Sequence, residues 1–137
     1  MSRMQQTSLN PVRNTRQKLE SHYAFIIEEF EGRTDFIKKP MFSCLGLYLG
    51  DRLTLVLAHK DEPWNGLLVP TERAWQPGLQ AEFPALTAHE VLGKWLYVSQ
   101  THPDFEFVAN SLVELALRGD PRIGVVGQKK VRNPAKA

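Results

Sequence analysis

Four histidines, a single cysteine and 15 carboxylates are the groups through which this 137-residue chain could hold a metal or act on a substrate. Three of the histidines lie close to carboxylates: His59 with Asp61 and Glu62, His89 with Glu90, and His102 with Asp104 and Glu106. A zinc or other transition-metal site needs ligands that converge, and none of these groups has the spacing of a recognised ligand set. Cys44 would act as a nucleophile or redox thiol only beside a base or cation that favours the thiolate, and its local sequence offers neither. It reads as buried filler. The chain has no G-x-S-x-G elbow, no G-x-x-x-x-G-K-[ST] phosphate loop and no G-x-G-x-x-G turn. Residue types and spacing thus single out no catalytic, metal-ligating or cofactor-binding residue, imply no cofactor, and point away from an enzyme.

Two further sets of residues could recognise rather than react. Trp64, Trp75 and Trp95 stand in or beside loops and a strand, where bulky aromatics cap a small core or frame a recognition surface. Brought together, they would line a small-ligand pocket between sheet and helices. The second set is cationic. The formal net charge is +2, yet residues 20–118 carry 8 Lys/Arg against 14 Asp/Glu, so the cations are concentrated at the two ends. Lys129, Lys130 and Arg132 at one end, with Arg3, Arg13, Arg16 and Lys18 at the other, are the candidate phosphate contacts. The acidic body would repel the same backbone, and no aromatic residue is interleaved with the tail cations to stack on bases. The expectation is weak, nonspecific nucleic-acid binding at most.

Periodicity supplies the elements that must position these residues. A chain of this length forms one domain and buries roughly two-thirds of the surface it exposes when unfolded. Residues 1–13 read as a flexible basic lead-in, 14–120 as a single α+β domain, and 121–137 as a basic, mobile tail. From Asn14 or Thr15, the residues Leu19, Tyr23, Ile26, Ile27 and Phe30 recur along one stripe of a helix, with Gly32 at its C′ position. Lys39 to Leu57 reads as a tight hairpin about Gly50-Asp51, entered through Pro40. Its first strand points Leu45, Leu47 and Leu49 one way and Cys44, Gly46 and Tyr48 the other. The return strand sets Leu53, Leu55 and Leu57 against Thr54, Val56 and Ala58. Both faces are apolar, so the pair is central. Leu67 to Val69 reads as a third strand and Ala81 to Phe83 as a fourth, Leu86 to Leu92 as a helical turn or two, and Lys94 to Val98 as a further strand. Thr101 is the cap candidate of a second long helix, which Arg118-Gly119 ends, and Val125 and Val126 add a short strand. Tyr23, Ile27, Leu47, Leu55, Trp95, Val108 and Leu112 are the expected core.

Within this frame, Lys39, Met41, Phe42, Gly46 and Tyr48 carry a likeness. With a helix ahead of it, this stretch resembles the N-terminal domain of the TfoX competence-regulator family, in which a basic residue and Met-Phe lead into a hairpin of small residues, glycine and an aromatic. Ser43-Cys44 stand where that family usually has Gly-Gly, and Gly50-Asp51 replace its frequent Asn-Gly turn. The resemblance runs from about Thr15 to Arg118. It implies a small α+β domain, an antiparallel sheet of about five strands with helices packed against it, akin to secretion-chaperone-like folds. It also implies a protein-interaction or regulatory role without known catalytic residues. The reading is therefore a non-enzymatic module that acts on a protein partner, as a homodimer. A lone cysteine, the lack of a signal-peptide-like start, and no apolar run near the roughly 20 residues of a membrane span place it in the cytoplasm and off the membrane.

Overall fold

The computed structural model describes residues 11–127, with side chains from residue 16 onward. Most of the expected lead-in, and the tail cations Lys129, Lys130 and Arg132, lie outside the described residues. The first helix, α1 (Pro11–His22), begins earlier than the expected start at Asn14, since the fixed φ and missing N–H of a proline suit a first helical turn. Its buried stripe is the one the period demands: Leu19, Tyr23, Ile26, Ile27 and Phe30 all enter the core. The expected single helix is nevertheless broken at Tyr23 (φ −109°, ψ 28°) and resumes as α2 (Ala24–Phe30). At the break the Tyr23 hydroxyl donates a buried 2.7 Å hydrogen bond to the Ala58 carbonyl, so a tertiary contact sits where the helix yields. Gly32 does not take the left-handed C′ conformation, because α2 closes on Glu31 in right-handed geometry.

The strands are β1 (Phe36–Met41), β2 (Cys44–Leu49), β3 (Arg52–Leu57), β4 (Gly66–Val69), β5 (Thr87–Ala88), β6 (Leu96–Ser99) and β7 (Val125–Val126). They form an open antiparallel sheet in the order β1-β2-β3-β4-β6-β5, with β7 paired to the start of β3. The sheet is seven-stranded rather than about five because the residues leading into the expected hairpin make a strand of their own and two short pairings complete the edges. Ala81-Glu82-Phe83 is not a strand. It ends α3 (Gln76–Glu82), whose first turn holds Pro77 and whose Leu79 packs with Phe83, one turn on, in the core. Nor does Leu86 to Leu92 form a helical turn: Thr87 and Ala88 pair with Tyr97 and Leu96. The last helix, α4 (Phe105–Arg118), opens at Phe105 rather than at Thr101, and it ends as expected on Gly119 (φ 79°), whose N–H bonds the Ala116 and Leu115 carbonyls.

The described α-helices all lie against one face of the sheet. Ile26, Ile27 and Phe30 of α2, Leu79 of α3, and Val108, Ala109 and Leu112 of α4 meet Leu45, Leu47, Leu55, Leu57, Leu67, Leu96 and Val98. One local irregularity decides which leucines take part. Tyr48 pairs with Leu53, but Leu47 pairs with Leu55, which leaves Thr54 as an extra residue in β3. The Thr54 hydroxyl donates 2.8 Å to the Leu47 carbonyl and so fixes the bulge. As a result Leu53 does not share a face with Leu55 and Leu57, as strict alternation would have it, but joins Val56 and Ala58 on the other side. That second face carries Cys44, Leu53, Val56, Ala58, Leu68 and Tyr97, with Met41, Tyr48, Trp64, Leu92, Trp95 and Val125 beside them, and none of these comes from a helix. Trp95, expected in the core, is thus only half-buried. Among the described residues no helix is long and apolar enough to cross a membrane.

Candidate functional site

With no helix over it among the described residues, the second face holds a groove of about 520 Å³ open to solvent. Tyr48 and Leu53 lie along its floor, Met41 and Phe42 form one side, Glu72, Arg73 and the segment Leu92 to Trp95 form the other, and Val125 to Gly127 close an end. Gly46 makes the floor fit. A Cβ there would lie 3.0 Å from both Met41 Sδ and Leu53 Cδ1, so glycine lets those two side chains close over the strand without shifting.

The Phe42 side is built on an unusual turn. Met41 pairs with Cys44 across two residues, Phe42 (φ 52°) and Ser43 (φ 63°), both in the left-handed region. Hairpins of this kind normally carry Asn-Gly, and an ordinary L residue there costs roughly 1–2 kcal/mol. The turn is held by its surroundings: Lys60 Nζ donates 3.0 Å to the Phe42 carbonyl, and Cys44 Sγ lies 3.4 Å from the same oxygen. The Phe42 ring is 57% exposed, with its centroid 6.1 Å from that of Trp64.

The opposite side is tied down by two side chains. Gln76 Nε2 donates to the carbonyls of Gly93 (2.9 Å) and Lys94 (2.8 Å). His89 is 2% exposed, and its Nδ1 accepts the N–H groups of Val91 and Leu92 at 3.1 and 3.0 Å. The proton must therefore sit on Nε2, which donates 2.8 Å to the Pro63 carbonyl. This fastens the loop before β6 to the turn before β4. Glu62 holds the same turn from outside by accepting 2.6 Å bonds from the Tyr97 and Ser99 hydroxyls. Partial desolvation pushes the Glu62 carboxyl up, but the bonds from Ser99, Tyr97 and Asn65 outweigh it and hold the group below the usual carboxylate range. Burial, and then the bond to Glu62, raise the Tyr97 phenol.

The residues of the family-like motif converge here. Met41, Phe42 and Tyr48 line the groove, Gly46 lies beneath Met41, and Lys39 Nζ stands 5.1 Å over the Tyr48 ring. The tryptophans do not gather in one place: Trp95 lines the groove, Trp64 backs Phe42, and Trp75, 40% exposed, is not among the lining residues. The layer between sheet and helices, where a pocket was expected, is filled with core side chains, and the groove lies on the opposite face. Sequence reasoning missed Glu72, Arg73, Leu92 and Lys94; of these only Arg73 and Lys94 carried a signal, as basic residues scarce in an acidic body.

The groups with potential chemistry are engaged elsewhere. Burial raises the Cys44 thiol, against a smaller lowering by Lys60, so it is not poised as a nucleophile. His59 stacks on His22 with ring centroids 4.0 Å apart, and Gln100 bridges the pair, donating to His59 Nδ1 and accepting from His22 Nε2. His102 Nδ1 accepts the Asp104 N–H. Among the described residues no group of three or more His, Cys, Asp or Glu could hold a metal ion. No protein-family model matches the chain, and no curated protein or solved structure matches it either.

Proposed function

We propose that the chain is a non-catalytic binding and regulatory module of the cytoplasm, whose working surface is the open face of its sheet. The observation that carries this reading is the Phe42-Ser43 turn. A large apolar side chain is held out over an apolar groove by two residues in left-handed backbone geometry, at a site where Asn-Gly would be more stable. The resemblance of Lys39, Met41, Phe42, Gly46 and Tyr48 to the N-terminal domain of the TfoX competence regulators supports the regulatory part of the proposal. The test is photocrosslinking in an extract of the source cells, with p-benzoylphenylalanine in place of Phe42 or, as control, of the still more exposed Phe107 on α4. A discrete protein adduct formed from position 42 and not from position 107 is expected. Equal adducts at both positions, or none at position 42, would overturn the reading.

A second reading, a small-ligand site, is favoured by one observation. The groove volume falls within the roughly 300–1,000 Å³ of small-molecule sites, and its lining is mostly apolar with a few charges. Native mass spectrometry of protein purified from the source cells would show a stoichiometric bound metabolite if that reading is correct.

A further inference from the structure

We propose that the groove takes a short acidic segment of a partner protein, with an apolar side chain seated over Met41 and Leu53 and a carboxylate held between Arg73 and Lys94. This rests on the open face being the working surface, and it names the chemistry of what docks there. The first support is the distribution of charge. Between residues 20 and 118 acids outnumber bases 14 to 8. Yet Arg73 and Lys94 on the groove side, and Lys39 and Lys60 over the aromatic rings of the same face, make no salt bridge among the described residues. By contrast Arg16, Arg33, Lys38, Arg118 and Arg122 each pair with a carboxylate. Of the remaining cations, Lys18 belongs to α1, and Arg52 donates to the Ile123 and Gly124 carbonyls. Apart from Lys18 and Arg52, the cations without a salt bridge among the described residues therefore lie on the face that no described helix covers, with Glu72 the one carboxylate among the described lining residues of the groove.

The site is also built to keep those charges in place. Gln76 bonds both carbonyls of the Gly93-Lys94 segment and so joins the element that carries Arg73 to the one that carries Lys94. A guanidinium receives a carboxylate with two parallel hydrogen bonds, and a neighbouring ammonium adds a point charge. The other occupants fit less well. The chain's own continuation leaves from Gly127 at the end of the groove, but it carries Lys129, Lys130, Arg132 and Lys136 and would set like charge on like. A second copy docked face to face would oppose Arg73, Lys94, Lys39 and Lys60 to themselves across the two-fold axis. The groove is open along its length and so suits a chain segment better than an enclosed small molecule.

The experiment is fluorescence anisotropy on the full chain with three fluorescein-labelled pentapeptides: one of alternating leucine or phenylalanine and glutamate, its lysine counterpart, and a version with serine for the apolar residues. The acidic apolar peptide is expected to bind at least about tenfold more tightly than either of the others, and more weakly as salt rises. Combining Arg73→Gln with Lys94→Gln should weaken it by roughly tenfold or more, while Arg118→Gln on α4, melted alongside to confirm folding, should not change it. The proposal fails if the lysine peptide binds as well, if the double variant binds normally, or if the acidic peptide shows no binding at millimolar concentration. It also fails if 1-naphthoate binds and the peptide does not, or if sedimentation shows a dimer that Phe42→Ser abolishes. A position-42 crosslink to a basic partner segment would remove this inference and leave the binding function standing.

Discussion

Both faces of the sheet are apolar, and they are treated differently. On one, Leu45, Leu47, Leu55 and Leu57 are sealed under helices, and on the other Leu53, Val56 and Leu68 are covered only by half-buried neighbours around a groove. Apolar composition alone therefore does not say where a core will be. What separates the faces is the set of side chains at their margins. On the covered side Arg16, Lys38, Arg33 and Arg118 are paired with Glu20, Asp35 and Glu114, while on the open side Arg73 and Lys94 make no salt bridge among the described residues.

The sharpest way to break this contrast is to remove volume. Leu47→Ala or Leu55→Ala, both fully buried on the helix side, should each cost about 2–5 kcal/mol in urea unfolding, whereas Met41→Ala on the open side should cost roughly 1 kcal/mol. Losses under 1 kcal/mol at both leucines would mean that the covered face is not the stability core. Next in size is a gain. Phe42→Asn combined with Ser43→Gly should stabilise the fold by about 1–2 kcal/mol by relieving left-handed geometry, and it should at the same time abolish the position-42 contact. A stabilised variant that still bound its partner would separate the turn from function.

A smaller effect concerns pH. The Glu62 carboxyl is depressed in the fold, so its contribution is fully present above its ordinary value of 4.5 and is lost as pH falls through the lower folded value. Because the side chain is solvent-exposed, the loss should be under about 1 kcal/mol, and Glu62→Gln should flatten that part of the acid-unfolding curve. Smallest of all, Arg73→Gln with Lys94→Gln should leave stability within about 0.5 kcal/mol, since neither makes a salt bridge among the described residues. A larger change would show that these cations serve the fold rather than a ligand.

How far the sequence could be read depended on whether the controlling interaction was local. The stripe from Leu19 to Phe30, the alternation along β2 and the Gly119 stop were legible because each follows from spacing a few residues long. The position of Leu53 was not, because it depends on a bulge fixed by a hydrogen bond from Thr54 back to Leu47 on the neighbouring strand. The turn at Phe42-Ser43 escaped notice for a related reason: neither residue type favours left-handed backbone, and the bond from Lys60 that secures it comes from a distant loop. The groove on the other face was not foreseen, because the tryptophans are strong signals in sequence, whereas which face of the sheet the described helices leave open is not written in any short stretch.

The edge strand β1 carries Lys38, Lys39 and Pro40 in succession. A proline offers no N–H to an incoming strand, and the Lys39 ammonium repels the same edge of another copy, so this border disfavours cross-β stacking. That has a consequence for crowded solution. An apolar face left open usually invites runaway polymerisation when a sheet can also extend sideways, because each added chain repeats both contacts. With its border blunted, this protein can keep one sticky face without becoming a fibre.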